Sequence, residues 1–149
     1  YKVDAVVNSG SAGGIGEGLH VGDVVLSTGA AYHDADATAF GYKPGQLPQQ
    51  PQIYTADKDL LEAISKAAKE YNLVAKEGLI VTGVKEFGAY AVEMEGAAIA
   101  QVAYQFSVPF LIIRAMSDVG DEDAGQSFDE FIIEAGKKSA NMILNFLKK

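Results

Sequence analysis

The sequence predicts an α/β fold, a three-layer sandwich with a central mixed β-sheet flanked by helices. Two observations predict it. Short apolar runs of strand length alternate along the chain with segments whose apolar residues recur at helical spacing. The chain has 149 residues, 48% of them hydrophobic and 21% charged, which is the size and composition of one domain with a buried core. We therefore expect residues 1–149 to form a single domain.

The predicted strands are short, apolar and bounded by glycine or polar residues. Two valine-rich runs, at 3–7 and 23–27, are the first candidates, and 78–81 and 90–92 are two more. Residues 109–116 are apolar on both faces, which is typical of a central strand in a parallel sheet. Their alternation with helices favours a mostly parallel order of strands.

Three segments are predicted to be helical. The apolar residues of 57–71 recur at helical spacing, and 96–106 shows a similar pattern. Ser127 and Glu130 fit a capping box that opens a last helix. Three of the four prolines fall within 29–56, so we predict a long functional loop there.

Charge and composition exclude several classes of protein. Lys and Arg number 12 against 20 Asp and Glu, giving a net charge of −8, which disfavours binding to nucleic acid. Cysteine is absent, so disulfides and thiolate metal sites are excluded. Because no apolar run reaches the length of a membrane span, we expect a cytoplasmic protein without a membrane partner.

A glycine-rich segment, residues 8–16, follows the first predicted strand. It is predicted to form a turn whose backbone N–H groups approach a ligand oxygen closely, with Ser11 adding a hydroxyl. Its glycines match neither the dinucleotide fingerprint nor the phosphate loop. A plain tight turn is an equally good interpretation.

Two acidic segments are candidates for chemistry. Glu93 and Glu95 flank Met94 where a strand meets a helix; they suit a pair of vicinal hydroxyls, or else act as dipole partners in the first helical turn. Asp118 ends the most apolar strand, where apolar walls would keep a general acid protonated. Arg114 would oppose that effect, and a helix cap is the alternative role for Asp118.

His33, Asp34 and Asp36 resemble a metal-ligand cluster, but they lack a well-spaced further partner. We favour a solvated loop with turn-forming aspartates at this point of the chain, and expect no metal site.

Six segments, taken in this order, carry a resemblance to a known family. They are Asn-Ser-Gly-Ser-Ala-Gly-Gly at 8–14, Tyr-His-Asp-Ala-Asp at 32–36 leading to Thr-Ala-Phe-Gly-Tyr at 38–42, Gly-Gln-Leu-Pro at 45–48, Val-Glu-Met-Glu at 92–95, Arg-Ala-Met-Ser-Asp-Val at 114–119 and Ser-Phe-Asp-Glu-Phe at 127–131. The chain resembles the purine and uridine phosphorylase superfamily. Within it, the chain is most similar to the bacterial 5′-methylthioadenosine/S-adenosylhomocysteine nucleosidases.

The resemblance implies a reaction and its central residues. The reaction is hydrolysis of the N-glycosidic bond of 5′-methylthioadenosine or S-adenosylhomocysteine, which releases adenine and a thioribose without any cofactor. Asp118 would protonate N7 of the departing adenine, and Ser117 would orient Asp118. Glu95 would bind the ribose hydroxyls.

The resemblance also implies the walls of the substrate pocket and a homodimer with shared active sites. Met94 would lie against the sugar, Ser11 and Gly13 would line the same pocket, and Phe128 would pack on the base or the alkylthio group. Residues of the long loop would complete the partner's 5′-alkylthio pocket; these are Phe40, Tyr42 and Pro48.

Two features of the family have no counterpart in this sequence. The family has a water-activating glutamate on a segment that would precede Tyr1, and an adenine-gripping segment that would fall between Gly83 and Val84. We expect both segments to be missing from the sequence. Alternative functions are phosphorolysis, which Asn8 disfavours because phosphorylases place an arginine there, and a remnant that only binds nucleosides. Another 6-amino purine substrate, 5′-deoxyadenosine or aminofutalosine, is a third possibility.

Overall fold

The computed structural model describes residues 2–83, 88–119 and 128–148, and in the last range it describes side chains from residue 133 onward. Six strands, three α-helices and one 3₁₀ turn at Thr38–Phe40 lie in these ranges. In chain order the strands and helices are β1 Val6–Gly14, β2 Val24–Tyr32, β3 Tyr54–Thr55, α1 Lys58–Glu70, β4 Ala75–Thr82, β5 Ala91–Glu93, α2 Gly96–Gln105, β6 Phe110–Val119 and α3 Phe128–Leu147.

The strands form one mixed sheet in the order β3-β2-β4-β5-β1-β6, and β6 also pairs with β2. The pairs β1–β6, β2–β4 and β4–β5 are parallel, whereas β1–β5, β2–β3 and β2–β6 are antiparallel. The predicted α/β class with a mixed sheet and flanking helices is confirmed. The β2–β6 pairing joins the two ends of the five-strand run β2-β4-β5-β1-β6, so this part of the sheet closes on itself.

Local sequence signals explain where the helices begin and what they bury. Helix α1 starts after Asp57, whose Oδ1 accepts a hydrogen bond of 2.9 Å from the Leu60 N–H. It buries Ile64 and its neighbouring alanines against the sheet and also contacts α3. Helix α2 packs on β2 and β4. The predicted helices at 57–71 and 96–106 are therefore confirmed to within two residues at each end.

The core is centred on β6. Leu111, Ile112, Ile113 and Met116 have no accessible surface, so this strand is buried on both faces, as its sequence predicts. Ser27, a polar residue on the neighbouring strand β2, is buried as well, and its Oγ accepts a hydrogen bond of 2.9 Å from the Ile112 N–H. Ser117 and Asp118, which follow Met116 in β6, therefore extend directly from a buried, hydrogen-bonded strand.

The prediction of a glycine-rich turn at 8–16 is wrong. Strand β1 runs through this segment as far as Gly14. The glycines are needed because side chains of β6 lie across the strand: a Cβ on Gly10 would be 3.1 Å from Arg114 Nη1, and one on Gly14 would be 2.9 Å from Val119 Cγ2. The long loop likewise begins later than predicted, since β2 continues to Tyr32.

The capping box predicted at Ser127 and Glu130 lies outside the described side chains. In the part of the chain that the structure describes, no helix is long and apolar enough to cross a membrane.

Candidate active site

A β-bulge at the end of β6 places Asp118. Strands β1 and β6 pair in regular register up to Ala12 and Met116, after which Gly13 pairs with Asp118, so Ser117 is an additional residue in β6. Such a bulge redirects the side chain that follows it. The carboxylate of Asp118 lies beside Gly13, and its Oδ2 is 3.2 Å from the position of a Cβ on Gly13. A glycine at position 13 therefore keeps Oδ2 uncovered.

The second carboxylate oxygen of Asp118 is held by its neighbour. Ser117 Oγ lies 2.8 Å from Asp118 Oδ1 and 3.3 Å from the carbonyl oxygen of Ala12. The hydroxyl has one hydrogen and donates to one of the two acceptors at a time. Burial ends at Met116, so Ser117 is half-buried and Asp118 is exposed. The apolar walls expected around Asp118 are thus not provided by the described residues.

Glu93 and Arg114 form a buried ion pair. Their side chains are each 2% exposed, and Arg114 Nη2 lies 2.5 Å from Glu93 Oε2. The interpretation of Glu93 as part of the first helical turn is wrong, because Glu93 lies in β5 and its carboxylate reaches the start of α2 from the strand. Arg114, which was expected to act on Asp118, instead has Glu93 as its nearest carboxylate partner.

Glu95 occupies the N-cap position of α2, two residues beyond Glu93, in a different environment. Its side chain is 67% exposed, and its Oε2 lies 3.7 Å from Arg114 Nη2. Met94, between the two glutamates, is exposed. Glu93 is thus a buried structural group, whereas the carboxylate of Glu95 is exposed to solvent and lies near the same arginine.

The long loop presents apolar side chains to solvent. Phe40 is 83% exposed and Pro48 is exposed, whereas Tyr42 is half-buried. At the start of the loop, Asp36 Oδ1 accepts hydrogen bonds from the Thr38 hydroxyl at 2.7 Å and the Thr38 N–H at 3.0 Å. These bonds lower the pKa of Asp36. Within residues 2–83, 88–119 and 133–148, no three His, Asp or Glu side chains form a candidate metal cluster.

Two expected pocket residues are not brought beside Asp118 by described contacts. Ser11 lines a cavity of about 310 Å³ together with Ala115 of β6 and residues of α3 that include Ser139. Phe128 opens α3, but its side chain lies outside those described. The described contacts unite Gly13, Ser117 and Asp118 in one group.

Sequence reasoning missed Thr82, the last residue of β4. Thr82 pairs with Glu93 across the sheet, and its hydroxyl lies 2.7 Å from Glu93 Oε1. The signal available in the sequence was weak: a threonine at the end of an apolar strand, followed by Gly83. A threonine at that position is ordinary strand chemistry, so only the sheet register reveals its partner.

The fold agrees with comparison to known proteins. A family model described as the phosphorylase superfamily matches residues 1–85 and 83–148, and the chain belongs to that superfamily. The two matched segments meet at the end of β4, where a family segment is expected to be missing; that expectation stays a prediction.

Several individual relatives are named as nucleosidases. A 5′-methylthioadenosine/S-adenosylhomocysteine nucleosidase from Staphylococcus carnosus is 46% identical over 162 residues, covering 99% of this chain and 71% of the relative. A Neisseria meningitidis nucleosidase of the same name, solved with methylthio-immucillin-A, superimposes with a TM-score of 0.86 at 46% identity and covers 97% of this chain and 69% of its own. One from Colwellia psychrerythraea, solved with adenine, has a TM-score of 0.86 at 42% identity, with 98% and 67% covered. The resemblance drawn from the sequence is thereby confirmed.

Proposed function

We propose that the protein hydrolyses the N-glycosidic bond of 5′-methylthioadenosine and S-adenosylhomocysteine, releasing adenine and the corresponding thioribose. Its similarity to nucleosidases of that name, at 46% identity over nearly the whole chain, supports the reaction class. The single structural observation that carries the proposal is the Ser117–Asp118 pair at the bulge of β6. It holds one carboxyl oxygen by a hydrogen bond and leaves the other uncovered beside Gly13.

The role we assign to Asp118 is general acid. As the bond from N9 of adenine to C1′ breaks, its electron pair moves to the base and positive charge develops on the sugar. A proton given by Asp118 to N7 neutralises the departing base, an effect that supplies typically about 10²–10⁴-fold in rate. Water adds its oxygen to C1′ and releases one proton, which balances the proton that Asp118 gave.

Ser117 would set the direction of that transfer. Its hydroxyl, 2.8 Å from Oδ1, satisfies that oxygen and fixes the plane of the carboxyl group. Oδ2 then faces the side of the strand on which Gly13 has no side chain.

Glu95 is the proposed acceptor for the two ribose hydroxyls. Its carboxylate is exposed and lies 3.7 Å from Arg114, and a carboxylate with two acceptor oxygens suits paired hydroxyl donors. Met94, exposed beside it, would cover the sugar. Ser11 and Phe128 are proposed as further pocket residues on the resemblance alone.

We also propose a homodimer in which the loop of one subunit completes the partner's 5′-alkylthio pocket. The exposure of Phe40 and Pro48 in the single chain supports this assignment, because large apolar side chains at a loop surface are typical of an interface. Tyr42 would contribute from its half-buried position. Sedimentation equilibrium of the purified protein tests the oligomeric state, and a monomer at micromolar concentration would contradict it. The cytoplasmic location stays a prediction.

Adenine release from 5′-methylthioadenosine, measured with and without phosphate, tests the reaction. We expect release in phosphate-free buffer, whereas a strict requirement for phosphate would establish phosphorolysis instead.

Asp118→Asn should lower kcat by about 10²-fold or more, since the amide keeps the shape but gives up no proton. The matched control is Asp59→Asn, an exposed aspartate of α1, which should retain wild-type turnover. Wild-type rates for Asp118→Asn would remove Asp118 from the mechanism.

A further inference from the structure

The first turn of α2 is capped by residues that do not belong to the helix. Glu93 Oε2 accepts hydrogen bonds from the N–H groups of Gly96 at 2.7 Å and Glu95 at 3.1 Å. Thr82 Oγ1 accepts one of 2.9 Å from the Ala97 N–H. Three successive N–H groups at the start of the helix are thus bound from the neighbouring ends of β4 and β5.

This arrangement changes what the N-cap residue itself can do. A side chain that caps a helix from the N-cap position, such as Asp, accepts a hydrogen bond from the N–H of the second or third helical residue. Glu95 is the N-cap of α2, yet its side chain makes no capping hydrogen bond. Thr82 already accepts from one of these donors, the Ala97 N–H, and the carboxylate of Glu95 is exposed, with its Oε2 3.7 Å from Arg114 Nη2.

The cap is also tied to the core by hydrogen bonds and close packing. Glu93 Oε1 accepts a hydrogen bond from the Thr82 hydroxyl at 2.7 Å, and Oε2 accepts one from Arg114 at 2.5 Å. The start of the helix lies so close that a Cβ on Gly96 would be 2.9 Å from Glu93 Oε1 and from Ile112 Cδ1. The backbone of Glu95 is therefore held between a buried ion pair and the core.

We infer that Thr82 and Glu93 are positioning residues that hold Glu95 ready for the ribose of the substrate. The inference rests on the proposed function, because it takes Glu95 as the group that binds the sugar hydroxyls. An oriented carboxylate gives up less side-chain freedom on binding than one that also samples capping conformations, so the device acts on affinity for the sugar. Thr82 and Glu93 act through Glu95 and do not contact the substrate themselves.

Thr82 is the residue at which to test it. Thr82→Val preserves the shape and suits a strand, but it removes both the donor to Glu93 and the acceptor for Ala97. Thr82→Ser keeps both functions and serves as the matched control. For Thr82→Val we expect a KM for 5′-methylthioadenosine raised by about three- to tenfold with kcat changed by less than about twofold. Glu95→Gln should shift the same constant in the same direction.

Adenine, which has no ribose, separates positioning from general damage to the site. Its inhibition constant should be unchanged in Thr82→Val, and Thr82→Ser should match the wild type in every measurement. Amide hydrogen exchange of Gly96 and Ala97 should quicken by about tenfold or more in Thr82→Val alone. Equal losses for adenine and for the nucleoside would overturn the inference, as would faster exchange with an unchanged KM. No adenine release by the wild type would refute the proposed function itself and the inference with it, whereas a normal wild type with an unaffected Thr82→Val refutes the inference only.

Discussion

The Glu93–Arg114 pair provides the strongest quantitative test of this structure. Both side chains are 2% exposed, and their charged atoms are 2.5 Å apart. Removing one partner of a buried pair leaves an uncompensated charge, which costs about 3–5 kcal/mol. Glu93→Gln keeps an oxygen to accept the N–H groups of α2, and Glu95 lies 3.7 Å from the same guanidinium nitrogen. We therefore expect a loss near the lower limit, about 3 kcal/mol in the free energy of unfolding.

The matched control is an exposed pair of the same chemistry. Glu134 and Lys138 on α3 are 2.9 Å apart, but their side chains are 56% and 48% exposed. Such a pair, four residues apart on a helix, contributes only about 0.3–0.5 kcal/mol. Glu134→Gln should therefore change stability several times less than Glu93→Gln does.

Urea unfolding monitored by circular dichroism measures both variants under identical conditions. The midpoint should fall for Glu93→Gln while the slope with denaturant stays constant, so that the shift reports stability alone. A domain with typical stability of about 5–15 kcal/mol remains folded after the loss. If the two variants differ by less than about 1 kcal/mol, the buried pair does not have the energetic role argued from its burial.

A double variant isolates the coupling. Glu93→Gln combined with Arg114→Met removes the orphaned charge as well as its partner. The combined loss should be smaller than the sum of the single losses by about 1–3 kcal/mol, since contacting residues are not additive. Additive losses would indicate that the two groups act independently.

Two further changes test the packing of the sheet. The hydroxyl of Tyr54 has no hydrogen-bond partner among the described residues, and burial raises the pKa of Tyr54 to about 12, with Tyr32 and Tyr104 adding to the rise. Tyr54→Phe should therefore match or exceed wild-type stability at pH 7. Because the unfolded tyrosine ionises near its ordinary pKa of 10, the wild type loses stability between about pH 10 and 12, and the variant should lose less. A loss above about 1 kcal/mol at pH 7 would reveal a partner for the hydroxyl. Gly78→Ala should destabilise the protein in urea unfolding because its Cβ would lie 2.5 Å from Tyr90 Cγ. Gly136→Ala on α3, where a Cβ would meet nothing within 4 Å, should stabilise the protein by about 0.5–1 kcal/mol. Similar effects of the two changes would show that the space around Gly78 is not limiting.

Apolar periodicity was sufficient to predict most of the secondary structure. Helix α1 and strand β6 could be predicted because a helix with one buried face and a strand with two buried faces have different sequence patterns of apolar residues. The pairing of β2 with β6 left no such signal. A buried strand has the same kind of apolar sequence whichever strand it pairs with, so the closure of the sheet is determined by long-range packing alone.

The glycine-rich segment shows why local reasoning failed at the site. Glycine clusters usually mark turns, since glycine adopts conformations that other residues avoid. In β1 the reason for glycine is the neighbouring strand: Gly10 makes room for Arg114, and Gly13 makes room for Asp118. Both residues that need the space lie about a hundred positions away in the sequence, so a local pattern contains no trace of them.

The two glutamates illustrate the same limit in electrostatic terms. From sequence they are an equivalent pair, because each is a carboxylate beside Met94 at the start of a helix. The structure separates them by register: Glu93 pairs with Thr82 in the sheet and reaches Arg114, while Glu95 lies two residues beyond the end of the strand. A single arginine faces both, and burial decides which carboxylate neutralises it and which keeps its charge available at the surface. The division of roles within the acidic pair is thus a property of the sheet register, and a shift of β5 by one residue would turn the Glu93 side chain to the opposite face of the sheet, away from Arg114.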